Sequence, residues 1–301
     1  MTTKKIWANG RFVDRGAATI PISTGALHYG TCAFEGVLCV DSGNGRSSIF
    51  RLGDHIERLF ESASSVRIDV PYSKSEVAKA VVDTVKANKL KSCYIRPIVF
   101  KSADYTELDK KSPVRCFIDF KKINKWLFFL KMRRGVKVDF AADLKVLQND
   151  DMSGAKVSGR YLKNAVAYAM AKESGYDDAI MLSTRGDVLE SSSSNVFIVR
   201  GRKMSTPANR SMLEGVTRNT VMELARDLGY AVKEGAIAKK ELLSADEVFL
   251  TSTAKGIMSV SRVHNKSVRS TKVAEALRKA YIDALSDPSV EHSDWRTVVN
   301  V

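Results

Sequence analysis

The sequence predicts a two-domain α/β protein of the α+β kind, and three observations predict it. The chain has 301 residues, about twice the length of an ordinary single domain. Up to Phe120, strand-like runs alternate with two amphipathic helical patterns. A strongly basic stretch then interrupts the pattern, and strand and helix signals begin again beyond it. The expected division is a small N-terminal α/β domain over 1–122, a connecting loop over 123–135 and a larger domain over 136–301.

The first domain opens with a hairpin. Lys5 to Ala8 and Arg11 to Asp14 flank Asn9-Gly10, the strongest two-residue hairpin signal. A second turn falls at Ser42 to Gly45, between the run Leu27 to Val40 and a returning strand, Ser47 to Arg51. Asp54 is placed to cap a helix with Ile56, Leu59, Phe60 and Ala63 on one face. Ser73 and Glu76 have capping-box spacing ahead of a helix that buries Val77, Ala80, Val81 and Val85. Cys93 to Phe100 and Val114 to Phe120 read as strands.

From Lys121 to Lys137 there are seven basic residues, no acidic one, and the apolar run Trp126 to Leu130. This is read as a solvated connection with a few core anchors or as a binding surface. Val136 begins the next strand. The second domain then carries strands at Asp178 to Leu182, Asp187 to Glu190 and Asn195 to Val199, and a helix from Thr217 to Leu228 closed by Gly229. Glu247 to Thr251 is a further strand and Val263 to Val268 a hairpin. The last helix, Thr271 to Leu285, ends before Pro288.

With 44% apolar and 27% charged residues, the composition is that of a soluble globular chain, expected in the cytoplasm. The start, Met1 to Gly10, lacks the apolar run of a signal peptide, and Trp126 to Leu130 is too short to span a bilayer, so no membrane association is expected. Cys32, Cys39, Cys93 and Cys116 sit in strand-like runs without paired spacing, as reduced buried thiols do. The four histidines lack metal-ligand spacing, so no metal is expected. A net charge of +14 favours anions, from small dianions to nucleic acid, without choosing between them.

The stretch Ser153 to Tyr161, S-G-A-K-V-S-G-R-Y, sets Lys156 among small residues just ahead of a helical pattern. Along that helix Leu162, Ala165, Val166, Ala169 and Met170 share one face. A lysine hemmed in by Gly, Ala and Ser can approach a planar group closely. If it is also desolvated, its neutral amine becomes a nucleophile towards aldehydes. A surface lysine is the plainer alternative. Glu190 ends a strand, where it could face a protonated ring nitrogen or simply be solvated. Leu213 to Arg218, L-E-G-V-T-R, opens a helix whose first amides form an anion site, with Thr217 also a candidate N-cap. Thr251 to Ala254 adds hydroxyls and turn amides, and Arg58 and Arg96 are anion-binding candidates.

Together these motifs resemble a known family. The order E-x-S-x-x-N-V-F from Glu190, M-S-T at Met204 to Thr206, and L-E-G-V-T-R resembles the class IV pyridoxal-phosphate aminotransferases. H-Y-G-T-x-x-F-E-G from His28, R-L-x-D-H-x-x-R-L from Arg51, Y-I-R-P from Tyr94 and A-K-x-S-G-x-Y-L from Ala155 resemble the branched-chain amino acid branch. The resemblance implies a fold-type IV protein: a small N-terminal domain, a larger domain with a pseudo-barrel, and pyridoxal 5'-phosphate between them.

It also implies roles for particular residues. Lys156 would hold the cofactor as a Schiff base and shuttle the substrate proton. Glu190 would pair with the pyridine nitrogen, and Tyr161 with the phenolic oxygen. Arg58, Val216, Thr217 and Thr253 would hold the phosphate. Tyr29, Phe34, Gly36, Tyr94, Arg96 and Ala254 would line the substrate pocket. Arg96 would meet the distal carboxylate of glutamate, while Tyr94 and the Thr253-Ala254 turn face the α-carboxylate. The implied reaction moves an amino group from branched-chain L-amino acids to 2-oxoglutarate, in a homodimer or larger homo-oligomer.

Four departures from the family pattern stand out. Leu38 occupies a usual arginine position, Ser191 to Ser194 replace G-S-G-E, and Lys255-Gly256 replace A-E. The Lys121 to Arg134 stretch is more basic than the usual interdomain loop. They leave open a D-amino acid or (R)-amine transaminase, or a lyase of the aminodeoxychorismate kind. From a different class, the charge leaves open a nucleic-acid-binding protein, though no recognised binding module accompanies it.

Overall fold

A computed structural model describes residues 4–104, 106, 112–141, 154–208, 211–287 and 292–301. Ser153, at the start of the lysine loop, and Pro288, the expected helix stop, lie outside them. In chain order the strands and helices are β1 (Lys5–Ala8), β2 (Arg11–Asp14), α1 (Gly25–Tyr29), β3 (Cys32–Phe34), β4 (Val37–Gly43), β5 (Arg46–Phe50), α2 (Leu52–Ser65), α3 (Lys74–Ala87), β6 (Cys93–Lys101) and β7 (Val114–Lys122). After these come α4 (Lys125–Lys131), β8 (Val136–Phe140), α5 (Tyr161–Glu173), β9 (Asp178–Leu182), β10 (Asp187–Ser191), β11 (Asn195–Arg200), β12 (Lys203–Pro207) and α6 (Val216–Asp227). The remainder is β13 (Ala231–Gly235), β14 (Ile237–Ala238), α7 (Lys239–Leu243), β15 (Glu247–Ser252), β16 (Gly256–Val263), β17 (Lys266–Ser267), α8 (Lys272–Ser286) and β18 (Arg296–Asn300).

The chain forms two compact units that are discontinuous in sequence. The first comprises Met1–Lys125, Ala155–Arg160 and Ala284–Val301, and the second Trp126–Gly154 and Tyr161–Asp283. Among the described residues no helix is long and apolar enough to cross a membrane.

The first unit is built on an antiparallel sheet in the order β18-β5-β4-β6-β7-β1-β2, with β3 also paired to β6. The Asn9-Gly10 turn takes positive φ at both residues, 50° and 90°, as a tight hairpin with right-twisted strands requires. Strand alternation gives the sheet two distinct faces. Val37, Cys39, Cys93, Ile95 and Val99 point into a core filled by Ile56, Leu59 and Ala63 of α2 and Val77, Val81 and Val85 of α3. The intervening residues Tyr94 and Arg96 are only half-buried and belong to the opposite face. Register places Leu38 across from Tyr94 and Phe34 across from Ile98, so that face also carries Phe34, Gly36 and Leu38.

Helix α3 starts as its sequence dictates. Ser73 accepts from the Glu76 amide, and Glu76 reaches back to the Ser73 amide. Helix α2 starts earlier than Asp54. Its N-cap is Arg51, held at φ 48° with its amide donating to Trp295 O at 2.6 Å. Asp54 instead lies in the first turn and accepts from Arg51 Nε at 2.6 Å.

In the second unit, β11, β15, β16, β8, β9 and β10 pair in succession, and β10 pairs back to β11 through Glu190 and Asn195. The six strands therefore close into a barrel, which leaves no free edge among them. Its interior is lined by Val138, Ile180, Val196, Ile198, Val248, Leu250 and Val260, which form one cluster. Helix α5 packs on β9 through Ala167 and Ala171, against Ala179 and Met181. Its bulkier apolar residues Leu162, Val166 and Met170 face the other way and are exposed, as are Ala165 and Ala169. The small alanines four residues apart let the helix approach the sheet closely, and the bulkier stripe is turned outward. The segment 123–135 carries α4, with Trp126, Leu127 and Leu130 exposed.

Candidate active site

In the first unit the lysine loop runs beside β3. Phe34 N–H donates to Lys156 O at 3.1 Å, Ala33 bridges Val157, and Lys156 N–H donates to Ser62 Oγ of α2 at 2.9 Å. These bonds fix the Lys156 backbone and direct its ammonium over the Phe34 ring, 5.2 Å from the centroid. The close passage of Gly30 past Gly159 permits this course, because a Cβ on Gly30 would lie 2.6 Å from the Gly159 Cα. Burial, and next the Arg58 guanidinium, lower the Lys156 pKa to about 8, with Glu35 opposing them.

Beneath the lysine lies a buried charge network. Glu35 is fully buried and accepts from Arg58 Nε at 2.6 Å and Nη2 at 2.9 Å, and it pairs with His55 Nδ1 at 2.7 Å. Burial alone would raise the Glu35 carboxyl, but Arg58 and His55 hold it well below the usual carboxylate range. Burial pushes the His55 ring below its ordinary value, against the pull of Glu35. Glu35 stands between Phe34 and Gly36, so strand alternation sends its side chain to the α2 side of the sheet. Its own carboxylate also accepts the Gly36 amide at 3.1 Å.

On the sheet's other face, Arg96 lies 4.7 Å from the Phe34 ring centroid and 5.3 Å from that of Tyr94, to whose phenol it donates at 3.2 Å. Gly36 is required there, since a Cβ would fall 1.7 Å from the Tyr94 hydroxyl. The first unit thus gathers Phe34, Gly36, Arg58, Tyr94, Arg96 and Lys156. Tyr29 ends the short helix α1 and is 51% exposed, outside this cluster of contacts.

The second unit gathers the remaining candidates. Glu190, on β10, is buried and accepts from the Leu213 amide at 3.2 Å. Asn195 Nδ2 donates to Leu213 O at 2.7 Å, so the two side chains clasp both polar groups of one peptide residue. This clasp presents Gly215 as the N-cap of α6, and no side chain caps the helix. A Cβ on Gly215 would fall 2.1 Å from Asn195 Oδ1. Thr217 is therefore not the cap expected from sequence but the second helical residue, and its hydroxyl lies 3.4 Å from that of Thr253. Thr253 and Ala254 occupy the turn between β15 and β16, and Tyr161 opens α5.

Each unit carries groups suited to a phosphorylated, ring-nitrogen-bearing aldehyde. The α6 N-terminus presents backbone amides and its dipole to an anion. Thr251 Oγ1 and Ser252 Oγ nearby are buried without a hydrogen-bond partner. In the second unit Glu190 offers a carboxylate to a protonated nitrogen, and in the first Lys156 offers an amine whose pKa is lowered to about 8. Sequence reasoning missed Glu35, His55, Ser62 and Asn195. All but Ser62 lie inside motifs already singled out, but only the tertiary contacts give them work. Among the described residues no group of side chains could hold a metal ion.

Comparison with known proteins identifies the family. The chain matches the family described as Amino-transferase class IV over residues 33–263. It is 35% identical, over 98% of its length and 97% of the relative's, to a branched-chain-amino-acid aminotransferase of Pseudomonas aeruginosa. The solved branched-chain aminotransferase of Thermoproteus uzoniensis, with norvaline, superimposes with a TM-score of 0.92 at 34% identity, covering 98% of this chain and 99% of that one. A branched-chain enzyme from T.th., solved with pyridoxamine 5'-phosphate, gives 0.91 at 31% identity, covering 99% of each chain. Enzymes of this class use pyridoxal phosphate. With the profile covering most of the sequence and relatives aligned end to end, this chain belongs to the class IV aminotransferases.

Proposed function

We propose that the enzyme transfers the amino group of branched-chain L-amino acids to 2-oxoglutarate with pyridoxal 5'-phosphate as cofactor. The observation that carries this reading is Lys156, a buried amine with its pKa lowered to about 8 on a backbone pinned by Ser62 and Phe34. When bound, the cofactor supplies an electron sink for the Cα carbanion. Lys156 would hold it covalently and, as a free amine, would take the proton from the substrate Cα. Glu190 would keep a proton on the pyridine nitrogen. Arg58, Val216, Thr217 and Thr253 would hold the phosphate, the middle two through backbone amides, and Tyr161 would donate to the phenolic oxygen.

Tyr29, Phe34, Gly36, Tyr94, Arg96 and Ala254 receive the substrate, with Tyr94 and the Thr253-Ala254 turn taking the α-carboxylate. Apolar Phe34 and buried Leu38 on the face that carries Arg96 support an aliphatic donor alternating with a dicarboxylate acceptor. The norvaline and pyridoxamine phosphate complexes of the relatives support the same assignment. The exposed apolar residues of α5 support a homodimer or larger homo-oligomer, which sedimentation would show as a mass at least twice that of one chain. We place the enzyme in the cytoplasm, in keeping with its four free cysteines.

Leu38 keeps a second reading in play, a transaminase of D-amino acids or (R)-amines, because the family's usual arginine is missing there. A panel of half-reactions followed by cofactor absorbance separates the two. L-leucine is expected to convert the bound aldehyde form, with D-alanine and an (R)-amine much slower. Failure of L-leucine, with conversion by either of the others, would overturn the branched-chain assignment.

A further inference from the structure

Two stretches singled out in the sequence, Ser191 to Ser194 and Lys255, meet in the second unit. Lys255 is the last residue of the turn Ser252 to Lys255, closed by its own amide donating to Ser252 O at 3.3 Å. Its ammonium donates to Ser193 Oγ at 2.8 Å and to Asp178 Oδ2 at 3.2 Å. Asp178 is 2% exposed. Its Oδ1 accepts from the Ala179 amide at 2.8 Å, the Ser192 amide at 3.2 Å and Ser192 Oγ at 2.5 Å, and its Oδ2 also accepts from Ser191 Oγ at 3.3 Å.

Those serines form the tight turn that follows Glu190, closed by Ser191 N–H to Ser194 O at 2.7 Å. The residue that follows the Lys255 turn is fixed separately. Gly256 has φ 64°, and a Cβ there would strike the Met132 side chain at 2.3 Å. Thr253 and Ala254 are therefore followed directly by two anchored residues, Lys255 through a charge-assisted tether to a buried carboxylate and Gly256 through close packing.

We propose that Lys255 is a positioning residue for the substrate carboxylate. It ties the Thr253-Ala254 backbone to Asp178 and the Ser191–Ser193 turn, and so fixes the amides that receive the carboxylate. This rests on the reading that the Thr253-Ala254 turn takes the α-carboxylate. A turn already ordered loses little freedom on binding, and an untethered one must be ordered by the ligand. Such a tether acts on ground state and transition state alike, because the α-carboxylate keeps its charge throughout. Its loss belongs in KM rather than kcat.

The test compares Lys255→Met and Lys255→Arg with the parent enzyme. One readout is the L-leucine half-reaction over a range of leucine concentrations. The other is amide hydrogen exchange at residues 253–255 in the cofactor-free protein. Lys255→Met is expected to raise the half-saturating leucine concentration about ten-fold, leave the limiting rate within about two-fold, and speed exchange about ten-fold. Lys255→Arg, which keeps the charge and donors, is expected to restore both. Parent-like saturation and exchange in Lys255→Met would overturn the proposal. So would a fall in limiting rate alone, or a loss of folding that arginine does not rescue. If the parent enzyme itself fails with L-leucine, the functional reading falls, and the exchange measurement still judges the tether.

Discussion

Lys156 and Glu35 act on each other across the α2 side of the first unit, and both have measurable consequences. Only the neutral amine of Lys156 can attack an aldehyde. With its pKa at about 8 rather than the ordinary ~10.4, the neutral fraction at pH 7 rises roughly 230-fold. Capture of pyridoxal phosphate by the cofactor-free protein should climb with pH to a plateau with a midpoint near 8. A stopped-flow absorbance series checks this, and a midpoint above 10 would contradict it. The sign for stability follows from the same shift. The folded chain releases this proton at lower pH than the unfolded chain does, so Lys156 makes folding more favourable as pH rises from about 8 towards ~10.4.

Glu35→Gln removes the carboxylate that Arg58 and His55 both face and the charge that favours protonation of Lys156. Breaking such a buried pair costs about 3–5 kcal/mol. The variant should therefore unfold at lower denaturant concentration, and its capture midpoint should move further below 8. An unchanged midpoint would show that Glu35 does not act on the lysine.

At the scale of elements, the α6 N-terminus depends on Gly215. Gly215→Ala would drive a methyl into Asn195 Oδ1 and loosen the bond from Asn195 to Leu213 O. Overpacking of this kind costs about 1–3 kcal/mol. Affinity for pyridoxal phosphate, measured by fluorescence titration, should fall about ten-fold or more as the helix start shifts, in line with that cost. Parent-like affinity would contradict the assigned phosphate cradle.

Elements governed by local chemistry were legible in the sequence. The Asn9-Gly10 turn and the Ser73–Glu76 capping box have the spacing and residue types that cause them, and both form as read. Elements governed by distant contacts were not. The start of α2 is set by a bond from Arg51 to Trp295, and no window around Asp54 contains that partner. The apolar stripe of α5 gave the helix but not its buried face. Two alanines choose that face because they let the backbone approach β9. Likewise Glu35 and His55 were visible only as motif letters, since their burial arises when α2 crosses the sheet.

At the scale of the whole molecule, the barrel closes through pairings between remote segments, such as Val136 beside Val260 and Glu190 beside Asn195. Periodicity announces each strand but not its neighbour, so the fold class was readable and the closure came from the resemblance. The charge of +14 follows the same rule. It gives an enzyme of anionic substrates a favourable field, but by itself it names no ligand.

The central claim is that one lysine, Lys156, carries the chemistry. Borohydride reduction of the pyridoxal-phosphate-loaded enzyme, followed by protease digestion and mass spectrometry, tests it most directly. A single phosphopyridoxyl-labelled peptide is expected, with the modification on Lys156, and no label in Lys156→Ala. Label on another of the chain's lysines, or an unlabelled protein that still turns over, would contradict it.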